Sequence, residues 1–374
     1  MTMTINNEHK KLNVPNFRFP EFQGEWEKCI LGDITENFNL RNKDKIQYPM
    51  FSVTNDRGFV PQSEQFEGRD MVGEDIKAYK IIHTNDFAYN PARINVGSIA
   101  MYTGEKPCMI SSLYVCFKTT KEVNNEWLMQ LLKTPKMNYY YNVNGEGGVR
   151  VYLFYPNFAR IRMSIPKIEE QKKIAKLLNL IDERIATQNK IIDKLQSLIK
   201  GIGKQLFMDN QNWRTVKIGE LLRIGNGKDY KHLSIGKIPV YGTGGQMLLV
   251  NDYLYDGESV CIGRKGTIDT PMFLKGKFWT VHTLFNTYDF KDVLPKFCYY
   301  LFQQINWKLY NEGTGVPSLS KSTIENIKVK IPSLEQQKKI CSILDCYEHK
   351  TNNEEQILEL YHSEKQYLLR QMFI

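Results

Sequence analysis

The feature that most constrains this chain is a passage written twice. "IPKIEEQKKIAKLL" begins at Ile165 and "IPSLEQQKKICSIL" begins at Ile331, 166 residues later. At that same offset "KQLF" (Lys204 to Phe207) faces "RQMF" (Arg370 to Phe373), "RIRMSIP" faces "NIKVKIP", and Glu146-Gly147 faces Glu312-Gly313. The starts of the two halves match at a different offset. Trp26 with Gly32-Asp33-Ile34 faces Trp213 with Gly219-Glu220-Leu221, and "YPMFSVTNDRG" resembles "IPVYGTGGQ". The first half therefore carries about 20 extra residues in its middle. An internal repeat sets the architecture before any local reading. The chain is ordered as globular unit, helical tail, globular unit, helical tail.

The tails read as long helices. Between Glu169 and Phe207 there is no proline, and apolar residues fall at 174, 178, 181, 185, 192, 195, 199, 202 and 206. These steps of four and three form a heptad seam with one polar position, Gln188. The second tail fits at Ile340, Leu344, Tyr347, Leu358, Tyr361, Leu368 and Met372, whereas Thr351, Glu354 and Lys365 break the apolar pattern. Either stripe alone would expose a long apolar face. Because the chain passes through the second globular unit between the tails, they are expected to pack antiparallel, giving pseudo-two-fold symmetry.

The globular parts are rich in short β-like runs punctuated by Gly and Asn, with short helices expected near "NNEWLMQLLKT" and "LPKFCYYLFQQI". The fold class is therefore α+β: two similar, mostly-β heads separated by two long antiparallel coiled-coil helices. Expected boundaries are a loose tail at 1–16, a head at 17–164, a spacer helix at 165–208, a head at 209–330 and a second spacer helix at 331–374.

Catalytic signatures are absent from the sequence. There is no GxxxxGK[ST], GxSxG, HExxH or CxxC, and the seven cysteines show no metal spacing, which suits reduced, buried thiols. "NPAR" at Asn90 lacks the second proline and the aromatic of the Asn-Pro-Pro-aromatic motif of adenine methyltransferases. No apolar run is long enough to span a bilayer, and the polar N-terminus has no apolar h-region, so a cytoplasmic protein is expected.

Basic and polar side chains in Gly-rich loops remain. The net charge is +9; residues 213–330 hold 16 Lys and Arg against 10 Asp and Glu, and residues 17–164 hold 18 against 17. Arg264 and Lys265 lie in "GRKGT", Arg93 in "NPARINVGS", Asn55 and Arg57 in "TNDRG", Thr243 and Gln246 in "GTGGQ", Arg150 in "GGVR" and Lys321 in "PSLSKS". Arg pairs bidentately with guanine and Asn or Gln with adenine, while Lys, Ser and loop amides suit phosphate oxygens. Their grouping in matching places of two heads nominates a DNA-binding surface.

Two variable heads between near-identical helical segments resemble the DNA-specificity subunit of type I restriction–modification systems. The likeness rests on "FRFPEFQGEWEKCILGDI", both "IP…E[EQ]QKKI…L" segments, "YGTGG", "GRKGT" and "EGTGVPSLSKSTIENIKVKIP". The first head departs from the pattern, with "SVTND" for "GTGG" and "EGGVRVYLFYPNF" for the usual loop. The resemblance implies two target recognition domains on double-stranded DNA, each reading half of a split, asymmetric site, with the helix pair as a ruler. It implies no catalysis by this chain and no cofactor of its own. S-adenosylmethionine and ATP belong to the partners: two methyltransferase subunits and the restriction subunits. The repeated Glu169, Gln171, Lys172 and Ile174, with Glu335, Gln337, Lys338 and Ile340, would serve methyltransferase docking and the helix pair. The first rival reading is a stand-alone DNA-binding module without a methylase partner; a fused methylase-specificity enzyme and a purely structural coiled-coil scaffold are the others.

Overall fold

The computed structural model describes residues 12–65, 76–147, 151–208 and 210–374. It divides into two compact units, Met1–Thr187 with Leu358–Ile374, and Gln188–Ile357. Each long helix, Ile168–Met208 and Leu334–Gln371, gives one part to each unit.

In the first unit a four-stranded antiparallel sheet runs Thr35–Phe38, Val115–Thr119, Phe87–Tyr89, Ile99–Met101. A hairpin, Phe51–Thr54 with Gly58–Pro61, and the pair Lys80–Ile82 with Cys108–Ile110 accompany it. In the second unit a six-stranded sheet runs Arg223–Asn226, Leu284–Tyr288, Tyr255–Gly263, Met272–Thr280, Ile235–Gly242, Gly245–Val250. The expected short helices are Asn125–Leu132 and Pro295–Gln304. The fold class read from the sequence is the observed one.

Each head is closed on its helix by the same frame. The strand after the tryptophan pairs antiparallel with the strand entering the long helix: Glu27 opposite Ile165, and Arg214 opposite Ile331. A one-turn helix follows, and its glycine lets a second short helix lie close. A Cβ at Gly32 would stand 3.1 Å from the Ala159 Cβ, and one at Gly219 3.0 Å from the Glu325 Cβ. The Gly-Asp-Ile and Gly-Glu-Leu repeats are thus packing sites. Their acids bond back to the chain: Asp33 accepts from the Ile30 N–H at 2.9 Å and Glu220 from the Lys217 N–H at 3.3 Å.

The helix ends explain the second repeated motif. Phe373 packs against Trp127, which meets Trp26 edge-on, in the first unit. Phe207 packs against Trp213 and Phe297 in the second. In the first unit the start of the central helix (Ile174, Leu178, Ile181) shares a core with the end of the C-terminal helix (Leu368, Leu369, Met372). In the second unit the end of the central helix (Ile202, Leu206, Phe207) shares one with the start of the C-terminal helix (Ile340, Cys341, Leu344). Within each unit the pairing is antiparallel, as expected.

The seam is kept where the sequence breaks its apolar pattern. Thr351, Glu354 and Lys365 all lie on the buried or half-buried stripe. Each has a local answer: the Thr351 hydroxyl donates to the Tyr347 carbonyl at 3.0 Å, and Lys365 pairs with Asp182. The polar Gln188 meets Glu354, its amide donating to the Glu354 carboxylate at 2.6 Å and to its backbone carbonyl at 2.9 Å. A satisfied polar pair in an apolar seam fixes register at some cost in stability.

Candidate nucleic-acid interface

The nominated loops converge within each head. In the second unit the Arg264 N–H donates to the Thr283 carbonyl at 2.8 Å and the Gly266 N–H to the Pro317 carbonyl at 2.9 Å. The Leu319 N–H donates to the Arg264 carbonyl at 2.9 Å, and a Cβ on Gly266 would lie 3.6 Å from the Thr243 Oγ1. Thr243, Arg264, Lys265 and the loop Glu312–Ser320 therefore form one surface, with Gln246 exposed across the hairpin from Tyr241. Lys321 begins a six-residue helix capped by Ser320, which accepts from the Thr323 N–H. The acid of this loop is engaged: Glu312 accepts from the Ser320 and Thr323 hydroxyls, which hold its carboxyl below the usual range.

The first head repeats this scaffold. The Glu146 N–H donates to the Tyr152 carbonyl as the Glu312 N–H does to Ser318, and the Leu153 N–H donates to the Pro91 carbonyl as Leu319 does to Arg264. The Glu146 carboxylate accepts from Asn157 at 2.6 Å, the position matching Thr323. Gly97 sits against the backbone of Asn55, where a Cβ would stand 2.8 Å from the Asn55 carbonyl; this joins the loop of Arg93 to the hairpin tip of Asn55 and Arg57. Arg150 lies outside the described residues, as do residues 1–11 of the expected tail; Asn13 is already packed, donating to the Trp26 carbonyl at 2.6 Å.

Asn55, Arg57, Arg93, Gln246, Arg264 and Lys265 are exposed, while Thr243 and Lys321 are half-buried. Among the described residues the ion pairs of these heads use other cations, such as Lys118 with Glu36, Lys275 with Glu258 and Lys308 with Asp269. The Arg264 guanidinium lies 5.9 Å from the Phe285 ring centre, a contact that orients the cation without neutralising it.

The repeated tail residues divide by exposure. Glu169, Lys172, Glu335 and Lys338 are exposed, whereas Gln171, Ile174, Gln337 and Ile340 are buried. The two glutamines make one identical clamp. Gln171 accepts from the Asn124 N–H at 2.8 Å and donates to the Glu122 and Pro166 carbonyls at 3.1 and 2.9 Å. Gln337 accepts from the Leu294 N–H at 2.9 Å and donates to the Asp292 and Pro332 carbonyls at 2.9 and 3.0 Å. These glutamines fasten head to helix and present nothing to a partner. Between them the repeat is broken: Glu170, buried, takes the Arg18 guanidinium at 2.8 and 2.7 Å and the Trp26 indole N–H at 3.2 Å, while the matching Gln336 is exposed.

Sequence reasoning missed Leu113, Tyr152 and Phe154, which are exposed beside Arg93. The offset of 166 could have found the last two, since it sets them against Ser318 and Ser320. Among the described residues no group of three or more His, Cys, Asp or Glu is placed to hold a metal, and no helix is long and apolar enough to cross a membrane.

Known proteins share this organisation. The type I restriction–modification DNA specificity domain matches residues 23–197 and 210–360. The type I restriction enzyme MjaVIII specificity subunit of Methanocaldococcus jannaschii is 25% identical over 95% of this chain and 94% of its own length. The EcoDI specificity subunit of Escherichia coli is 27% identical over 36% of this chain and 31% of its own. The crystal structure of the type I S subunit from M. genitalium superposes with a TM-score of 0.62 over 96% of this chain and 99% of that one, at 15% identity, a likeness of fold. With two specificity domains matched in tandem, each carrying the same loop scaffold, the chain belongs to the family of type I restriction–modification specificity subunits.

Proposed function

We propose that this chain reads a bipartite, asymmetric sequence in double-stranded DNA, one half-site per head. It brings two methyltransferase subunits, and through them the restriction subunits, to that site. The observation that carries this reading is the shared loop scaffold: matching backbone hydrogen bonds, their donors 166 residues apart, hold different side chains in each head. Constant backbone with variable side chains suits two domains that do one task on two sequences, since phosphate contacts position a protein while side chains at base edges specify it. The long helices would set the half-site spacing, as paired modules on one duplex do.

The exposed repeated residues, Glu169 and Lys172 with Glu335 and Lys338, offer two similar surfaces for two copies of one partner. Catalysis falls to those partners. The methyltransferase would bind S-adenosylmethionine and take the flipped adenine, and the restriction subunits would use ATP. The setting is the cytoplasm, where the DNA is.

The test is a genome-wide methyladenine map with the gene present and deleted. A split motif with one spacer length, lost on deletion, is expected. Replacing the first head should change one half of the motif only. Identical maps while the methyltransferase is expressed would overturn the reading and favour a stand-alone DNA-binding module.

A further inference from the structure

The scaffold holds chemically opposite side chains in the two heads. At the helix-capping position of the second head stands Ser320, which bonds the Thr323 N–H. The matching residue of the first head is Phe154, which makes no side-chain cap for its helix Tyr155–Ala159 and is 49% exposed. Serine is among the best N-caps, and apolar residues are among the worst. The first head thus gives up a cap and exposes a phenyl ring, a departure from local rules of the kind found at functional sites. Two residues back the same exchange recurs: Ser318 in the second head is Tyr152 in the first. The Tyr152 and Phe154 rings are near-parallel, 13° apart with centres at 6.3 Å. With Leu113, 76% exposed, Val96, 56% exposed, Asn90 and Arg93, they line an open groove of about 840 Å³.

We propose that this groove is the base-reading surface of the first head and that it selects thymine through its 5-methyl group. The groove is continuous with the reading loops, because the Leu153 N–H between the two rings bonds the Pro91 carbonyl of the Arg93 loop. Among the base edges of the major groove, the thymine methyl is the apolar group, and apolar side chains are its natural contact. The charge balance agrees: with 18 basic against 17 acidic residues in 17–164, the first head has less electrostatic attraction to offer than the second and more need of contacts at the bases. Arg93 at the rim would hold the backbone or an adjacent guanine.

This rests on the DNA-reading role proposed above, and its test separates the two. The chain, expressed with its methyltransferase, is assayed for binding to duplexes carrying the mapped motif. Thymines in the half-site assigned to the first head are replaced by deoxyuridine, which lacks the methyl. The expected result is a half-site containing thymine and a loss of about fourfold in affinity for each contacted methyl removed, with no loss for uridine in the other half. Phe154→Ser and Leu113→Ala should abolish the preference for thymine over uridine. Leu113 is exposed enough that its variant folds. A thymine-free first half-site, or equal binding of uridine duplexes, overturns the proposal while leaving the specificity role intact. So does loss of methyltransferase co-elution by Phe154→Ser with thymine preference unchanged, which would make the groove a protein-docking surface. A genome map unaltered by gene deletion would instead sink the specificity role itself.

Discussion

Replacing Gln337 by alanine tests what the repeated glutamine is for. The substitution removes three hydrogen bonds at a fully buried site, leaving the Leu294 N–H without its acceptor and the Asp292 and Pro332 carbonyls without their donor. At about 1 kcal/mol net for each bond, with an added penalty for the orphaned donor, the second unit should lose roughly 3–4 kcal/mol. For a unit of this size that lowers its melting temperature by about 10 °C. Gln337→Glu keeps an acceptor for Leu294 but turns a carboxylate toward two carbonyls. It should be at least as damaging at pH 7 and milder where the carboxyl is protonated and can donate. Lys338→Ala, one residue on and exposed, should leave the melt unchanged. Calorimetry that resolves the transition of the second unit measures all three. A loss below 1 kcal/mol for Gln337→Ala, or an equal loss for Lys338→Ala, would refute the anchoring role.

Further outcomes are expected. Arg264→Ala with Lys265→Ala should weaken binding to the native duplex and flatten its salt dependence by about one to two units of slope if those side chains meet phosphates, as fluorescence anisotropy across a salt series will show. Gln188→Leu combined with Glu354→Leu should raise thermal stability, because a buried polar pair is exchanged for apolar contact, while methylation maps should show a less strict spacer; a destabilised double variant would contradict the register role. A matched heptad added to both long helices adds about 10 Å of helix and should lengthen the spacer in the mapped motif by about three base pairs. Burial pushes the thiols of Cys108, Cys116, Cys261 and Cys341 up to about 12 and that of Cys29 to about 11. At pH 8 these hold less thiolate than free cysteine does, so a thiol reagent on the native protein should label the exposed Cys346 first.

The seam of the central helix was legible because heptad spacing follows directly from helix geometry. The seam of the second helix was legible only in part. Glu354 and Lys365 look wrong by polarity and right by spacing, and spacing decides once a polar partner waits on the facing helix. Gln171 and Gln337 were legible as a repeat but not as buried residues, since glutamine usually marks a surface. Each lies three residues before a seam isoleucine, so carrying the heptad one step back would have placed them on the inner face. The nominated loop cations were found by chemistry, and their convergence needed the strand pairing that no single-chain pattern supplies. Tyr152 and Phe154 lie in the segment "EGGVRVYLFYPNF", which the sequence marks only as a departure; comparison with Ser318 and Ser320 shows a loop that could have done without them.

The division of the long helices also has a consequence in time. The core of the first unit includes Leu368, Leu369, Met372 and Phe373, which are made only after the whole of the second unit, and the Phe17 N–H bonds the Gln371 carbonyl at 2.9 Å. Domains ordinarily complete in order of synthesis, N-terminal first. Here the unit begun first must wait with Trp127 lacking its Phe373 partner, while the unit of Gln188–Ile357 already has all its residues. A chain cut short after Ile357 would have a finished second unit and an open first one. Its open core around Trp127 would be a mark for degradation before a half-built subunit could enter a complex.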